Sequence, residues 1–305
     1  MSSTPAATHH HVTRPLDAFA TAVMVMLCLS WGFNQVAAKF AIHEFPPMIQ
    51  AALRGVGATV IVLAWAKARG IALLSRDGSL IAGIAAGVLF SIEFILLYRG
   101  LLYTTASRAV LFLYTAPFFV VIGSRIFLPA DRFHWSQWAG LALSFAGIAL
   151  AFGVPTPSAD PHQALGDLMI LGGALGWAAT TVLIKASPSL NRAPAEKVML
   201  YQLVISVPVF VICIPLFGEH MEHVPSWPAL AALAYQTVWI VSVTFVIWFA
   251  MVARYSANRL SAFTFLTPLF GVAAGHLMLN EPLNAAFAAS VALVAAGLAL
   301  VNRAR

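Results

Sequence analysis

Glu93 is a carboxylate placed where hydrocarbon is expected. It sits near the middle of the apolar stretch Phe90-Ser91-Ile92-Glu93-Phe94. A charged group at bilayer depth costs roughly 2.5–3.5 kcal/mol on insertion scales. It must therefore face a wet cavity, meet a base, or take up a proton. Two chemistries follow. One is a site for the amino group of a small molecule or for a coupling proton. The other is a buried ion pair, with Arg54 as the basic partner.

Several other side chains sit at the same depth. Trp31 and Trp177 lie mid-run, whereas interfacial belts hold tryptophan at helix ends. They read as cavity walls that stack on a ligand, or as wedges between helices, and Gly32 beside Trp31 suggests a tight helix contact. Asn34 and Gln35 place two amides in one apolar run, where amides seek partners across a helix contact or in a cavity. Tyr235 and Trp239 are one turn apart on one face, which suits an amphipathic ligand or an interfacial anchor. Tyr98 and Tyr114 are similar candidates. The expected substrate-binding set is thus Glu93, Trp177, Asn34, Gln35, Tyr98, Tyr114, Tyr235 and Trp239. His276 reads as a hydrogen-bonded structural residue. Pro117 and Pro268 fall mid-run, and each removes a backbone hydrogen bond and bends its helix. They are either gating pivots or static kinks.

The elements that position these residues are visible in the composition. Of 305 residues, 61% are apolar and 9% charged, against about 25% charged in soluble domains. Ten apolar runs stand out, at 17–41, 48–67, 79–101, 107–127, 136–153, 167–186, 197–217, 228–252, 260–279 and 284–302. About 20 residues at 1.5 Å each span a bilayer, and no strand-like alternation suggests a β-barrel. Residues 1–15 are polar, so no cleavable signal is expected, and His9, His10 and His11 read as part of a polar tail rather than a metal site. Cys28 and Cys213 lie inside apolar runs and behave as small hydrophobes. No metal or cofactor is expected. No phosphate loop, dinucleotide fingerprint or hydrolase elbow appears in a usable context, which leaves a membrane-embedded enzyme or receptor as a remote alternative.

The net charge of +6 reflects membrane orientation rather than nucleic-acid binding. With the amino terminus inside, Lys67, Arg69, Arg76, Arg125, Arg132, Lys185, Arg192, Lys197, Arg254 and Arg259 fall on the inner side, together with the basic residues of both tails. Only Lys39, Arg99 and Arg108 fall outside. The positive-inside rule then puts both termini in the cytoplasm.

The chain also repeats itself. Trp31 precedes Lys39 by the same eight residues that separate Trp177 from Lys185. Ala106-Ser107-Arg108 precedes Pro117 at the offset at which Ala257-Asn258-Arg259 precedes Pro268. Pro46 and Arg54 align with Pro194 and Gln202; Asp131, Gly140 and Gly147 align with Glu281, Ser290 and Gly297. Five runs per unit is an odd number, so the second unit must enter the membrane from the opposite side. Inverted repeats of this kind imply alternating access about a site between the halves. Glu93 has no acidic counterpart in the second unit.

Trp31-Gly32-Phe33-Asn34 followed by Lys39, Pro46 and Arg54 resembles the opening of an EamA-type repeat of the drug/metabolite transporter superfamily. Thr104 through Pro117, its copy Ser256 through Pro268, and Leu279-Asn280-Glu281-Pro282 add to the resemblance, which covers residues 17–302 and is strongest toward the YddG-type amino-acid exporters. Asp131, where the first repeat usually carries Glu, and Gln202 opposite Arg54 depart from the pattern. The resemblance implies an all-α membrane protein of ten transmembrane helices in two inverted five-helix repeats. The units are a cytoplasmic tail (1–16), a first repeat (17–153), a periplasmic linker (154–166), a second repeat (167–302) and a cytoplasmic tail (303–305). It implies a bacterial-type inner-membrane exporter of small amphipathic metabolites, amino acids foremost, with a broad proton-coupled drug or metabolite exporter as the alternative. The implied partners are a small-molecule substrate and the lipid bilayer; oligomeric state is left open.

Overall fold

The computed structural model describes residues 16–42, 44–128, 133–153, 161–279 and 285–303. The histidine tail, Asp131, Glu281 and the first part of the expected linker lie outside the described residues, as do the side chains of Gln35 and Lys39. The first half holds α1 (Ala18–Ile42), α2 (Pro47–Ala68), α3 (Leu80–Gly100), α4 (Ala106–Leu113), α5 (Ala116–Phe127) and α6 (Trp135–Phe152). The second holds α7 (Pro161–Ala186), α8 (Pro188–Arg192), α9 (Ala195–Leu216) and α10 (Trp227–Tyr235), then a π-helical segment (Gln236–Thr244). It ends with α11 (Phe245–Arg254), α12 (Ala257–Phe263), α13 (Leu266–Leu279) and α14 (Ala285–Asn302).

Among the described residues nine helical segments are long and apolar enough to cross a membrane, and Ala286–Asn302 is a shorter apolar helix. The chain is an all-α, multi-pass membrane protein. Helix is the form its apolar runs must take, because hydrocarbon offers no other partner to the backbone. α7 begins at Pro161, six residues before the apolar run does. A proline in the first turn wastes no hydrogen bond, so the helix extends through the polar stretch ahead of it.

Small residues set the closest approaches. A methyl group on Gly32 would lie 2.6 Å from Phe270 Cβ and 2.8 Å from Gly271 N, so α1 and α13 meet nearly backbone to backbone. The suspected tight contact at Gly32 is this one. Ala178 of α7 sits in one buried cluster with Val120 of α5. α6 meets α14 at Gly140 against Gly297, and at Gly147 against Ser290. Since 140 pairs with 297 and 147 with 290, the two helices run antiparallel.

α2 and α9 are each clamped at the start by the other half. Glu219, just past α9, accepts hydrogen bonds from Met48 N (2.7 Å) and Ile49 N (3.2 Å). These are N–H groups that the first turn of α2 cannot satisfy itself, and a carboxylate suits the positive end of the helix dipole. At the other end, Lys197 in the first turn of α9 donates to Ser75 O (3.0 Å) and to Asp77 Oδ2 (2.8 Å), in the loop after α2. Lys197 is buried, and its bond to Asp77 holds that carboxyl well below the usual carboxylate range, helped by Ser79. Glu44 instead holds Ser226, the residue whose own hydroxyl caps α10. It accepts from Ser226 N and Ser226 Oγ, and those bonds lower its pKa.

Candidate functional site

A cavity of about 240 Å³ lies between the halves. Its walls come from α1, α2, α3, α4, α7, α9, the π-helical segment, α11 and α13. Eight of the eighteen lining residues are aromatic. Ring centroids link Trp177 to Trp248 (6.4 Å), Trp248 to Trp31 (5.7 Å) and Trp31 to Phe245 (6.3 Å). The series continues from Phe245 to Phe90 (6.3 Å), Phe94 (4.6 Å) and Tyr98 (5.9 Å). Most of these pairs are edge-on or tilted, the arrangement that ring quadrupoles favour. The ribbon ties α3 of the first half to α7 and α11 of the second.

Glu93 enters this ribbon from α3. Gly176 of α7 presses on its backbone side, where a methyl would lie 3.1 Å from Glu93 Cβ, and the residue lines the cavity while 7% exposed. Arg54 lines the same cavity, is 5% exposed, and is the charge that acts on Glu93. Its guanidinium carbon sits 4.7 Å from the centroid of Phe94 and 5.5 Å from that of Tyr98. Among the described residues no ion pair within 4 Å joins Arg54 to Glu93. The expected buried pair is thus loosened into two charges facing one space.

Polar atoms on the wall that are buried without a hydrogen-bond partner include Asn34 Oδ1, Thr180 Oγ1 and Gln202 Oε1. Buried polar groups are nearly always paired, so unpaired ones converging on one cavity mark a place where a polar ligand or water completes the set.

Of the residues singled out from the sequence, Trp31, Asn34, Glu93, Tyr114 and Trp177 come together here. Tyr98 lies behind the wall, stacked under Arg54. Tyr235 and Trp239 lie elsewhere. Tyr235 OH donates to Ser30 O and Trp239 Nε1 to Ser30 Oγ, both at 3.0 Å. They pin the end of α10 and the π-helical segment to α1. His276 is on the exposed side of α13. From the sequence, Arg54 reads as an ion-pair partner of Glu93 and Gln202 as its unlike repeat counterpart, whereas Thr180, Phe245, Trp248 and Phe249 of the wall carry no distinct signal. Trp248 alone was legible in principle, as a third tryptophan set back from a run's end.

Pro117 and Pro268 sit just past helix breaks rather than within bends. α4 ends at Leu113 and α5 starts at Ala116; α12 ends at Phe263 and α13 starts at Leu266. Proline clashes with the carbonyl four residues before it, so the break falls upstream. Thr115 and Thr264 hydroxyls take up the carbonyls of Phe112 and Ser261, each at 2.6 Å. The first break turns Tyr114 into the cavity.

The fold and the cavity between the halves define a multi-pass membrane transporter for a small molecule. The sequence profile described as the EamA-like transporter family matches residues 18–153 and again 164–303. The chain belongs to that family, and is a transporter rather than an enzyme. It is 25% identical over 283 residues to the uncharacterized transporter YvbV of Bacillus subtilis, covering 92% of this chain and 90% of that one. It is 26% identical over 283 residues to a "Probable amino-acid metabolite efflux pump" of Escherichia coli, covering 90% and 91%. A crystal structure with 21% sequence identity superposes with a TM-score of 0.79, covering 93% of this chain and 96% of that one, and shows the same fold.

Proposed function

We propose that the protein exports amino acids, aromatic or neutral ones foremost, across a bacterial-type inner membrane with both termini in the cytoplasm. The observation that carries the reading is a carboxylate, Glu93, set in a cavity walled by aromatic rings. An apolar wall with a few convergent polar groups is the usual build of a small-molecule site. Glu93 and Asn34 receive the amino group, and Trp177 and Tyr114 receive the side chain. The efflux activity named for the Escherichia coli relative supports the same reading, as does the resemblance to YddG-type exporters.

The transport cycle is alternating access by ten spans in two inverted repeats. Contacts between repeat-equivalent positions support the inversion. Gly140 and Ser290 align, as do Gly147 and Gly297, and each packs on the other's counterpart. That exchange is the signature of a twofold axis, and antiparallel helices put the axis across them. Gly32 on Gly271 and Ala178 beside Val120 repeat the pattern. The helix breaks before Pro117 and Pro268 are the proposed pivots.

Reconstituted protein in liposomes loaded with labelled phenylalanine or leucine should release them faster than protein-free liposomes. No acceleration for any amino acid sinks the reading. Glu93→Gln separates the alternative of a proton-coupled broad exporter. If Glu93 carries the coupling proton, the variant loses its response to a pH gradient; if it receives the amino group, the variant loses affinity at every pH.

A further inference from the structure

Arg54 has an unusual environment for a buried arginine. Its charge rests on the faces of Phe94 and Tyr98. Ring faces offset the charge but accept none of the five N–H donors of a guanidinium. Those donors border the cavity, and Gln202, the residue that aligns with Arg54 in the second half, brings an unpaired Oε1 to the same space. Among the described residues the cavity wall therefore carries one positive and one negative group, and donors that lack acceptors.

Resting on the amino-acid reading above, we propose that Arg54 binds the substrate carboxylate, so that Arg54 and Glu93 together select a zwitterion. A guanidinium presents two parallel N–H bonds to a carboxylate. Charge balance gives the selectivity. With a zwitterion bound, the cavity stays neutral and both charges gain a partner. A decarboxylated amine leaves Arg54 unmatched, and a deaminated acid leaves Glu93 unmatched. An unmatched charge against a largely apolar wall is costly.

The test is competition against labelled phenylalanine in liposome exchange, using unlabelled phenylalanine, phenethylamine and 3-phenylpropionate. The wild type should prefer phenylalanine over either analogue by about tenfold or more, as sites built to hydrogen-bond a group reject analogues lacking it. Arg54→Gln should lose its preference over phenethylamine while still binding the amine, read by quenching of tryptophan fluorescence. Arg54→Lys should recover the preference only in part, since an ammonium lacks the paired donors. Equal competition by phenethylamine in the wild type overturns the proposal without needing any variant. So does an unchanged preference in a folded Arg54→Gln protein. If phenethylamine is moved and no amino acid is, Arg54 has no carboxylate to bind and the proposal falls while export of a small molecule stands. If nothing labelled moves, the amino-acid reading itself has failed.

Discussion

Gly140 of α6 lies so close to Gly297 of α14 that a methyl group on it would be 2.5 Å from the Gly297 carbonyl oxygen. Without a hydrophobic force between helices in lipid, close packing of small residues is what joins them. Gly140→Leu should therefore destabilise the protein by about 1–3 kcal/mol, the usual cost of overpacking, seen as a lower melting temperature in detergent. An unchanged melting temperature would mean that the two helices are not held at this crossing.

The clamp between Lys197 and Asp77 predicts a pH dependence. Asp77 has a folded-state pKa below its ordinary value, chiefly from its bond to Lys197. Its contribution to stability is complete above the unfolded carboxyl value of about 3.9 and is lost as pH falls toward the lower folded value. Asp77→Asn should lower the melting temperature at pH 7, and the gap to wild type should close as pH drops below about 4. A gap that stays constant across that range would show that the carboxylate charge is not what matters there.

Trp248 and Trp239 are only nine residues apart but should behave differently. Trp248 joins Trp31 and Trp177 in the cavity wall, whereas Trp239 bonds Ser30 outside it. An aromatic pair contributes about 0.5–1.5 kcal/mol beyond burial, and 1.4 kcal/mol is tenfold in affinity. Trp248→Leu should weaken phenylalanine exchange by up to about tenfold in KM, with Trp239→Leu close to wild type. The reverse order would move the site to the π-helical segment.

Gln50 and Gln236 share one hydrogen bond, Nε2 to Oε1 at 3.0 Å, and each keeps another buried atom unpaired. Gln50→Leu alone should cost about 1–3 kcal/mol by stranding Gln236, whereas changing both to leucine should be nearly neutral. Thermal melts of the two single variants and the double variant complete the cycle. Additive losses would show that the two amides do not act as a pair.

Much of this is legible in the sequence. Apolar length set the spans, because a backbone in hydrocarbon must satisfy itself. Pro117 and Pro268 announced interruptions, since a missing N–H is a local fact. Gly32 announced a close contact, and Glu93 announced a cavity, since a carboxylate at that depth has few other places to be. The doubled spacing of Trp31–Lys39 and Trp177–Lys185 announced the two profile matches.

Tertiary structure alone decided which side chains share the cavity. A helix apolar on every side carries no periodic signal to say which face turns inward. Tyr98, Tyr235 and Trp239 therefore looked as promising as Tyr114 and Trp177. The π-helical segment added to this, because its wider turn shifts the phase of every residue after Gln236, bringing Phe245, Trp248 and Phe249 to the wall. Arg54 shows the same division. The sequence by itself determined that a buried positive charge exists and that Glu93 could answer it. Only packing decided that the guanidinium lies on Phe94 and Tyr98 with its donors uncommitted, because that depends on how α2 and α3 are rotated against each other, and nothing local in either helix encodes it.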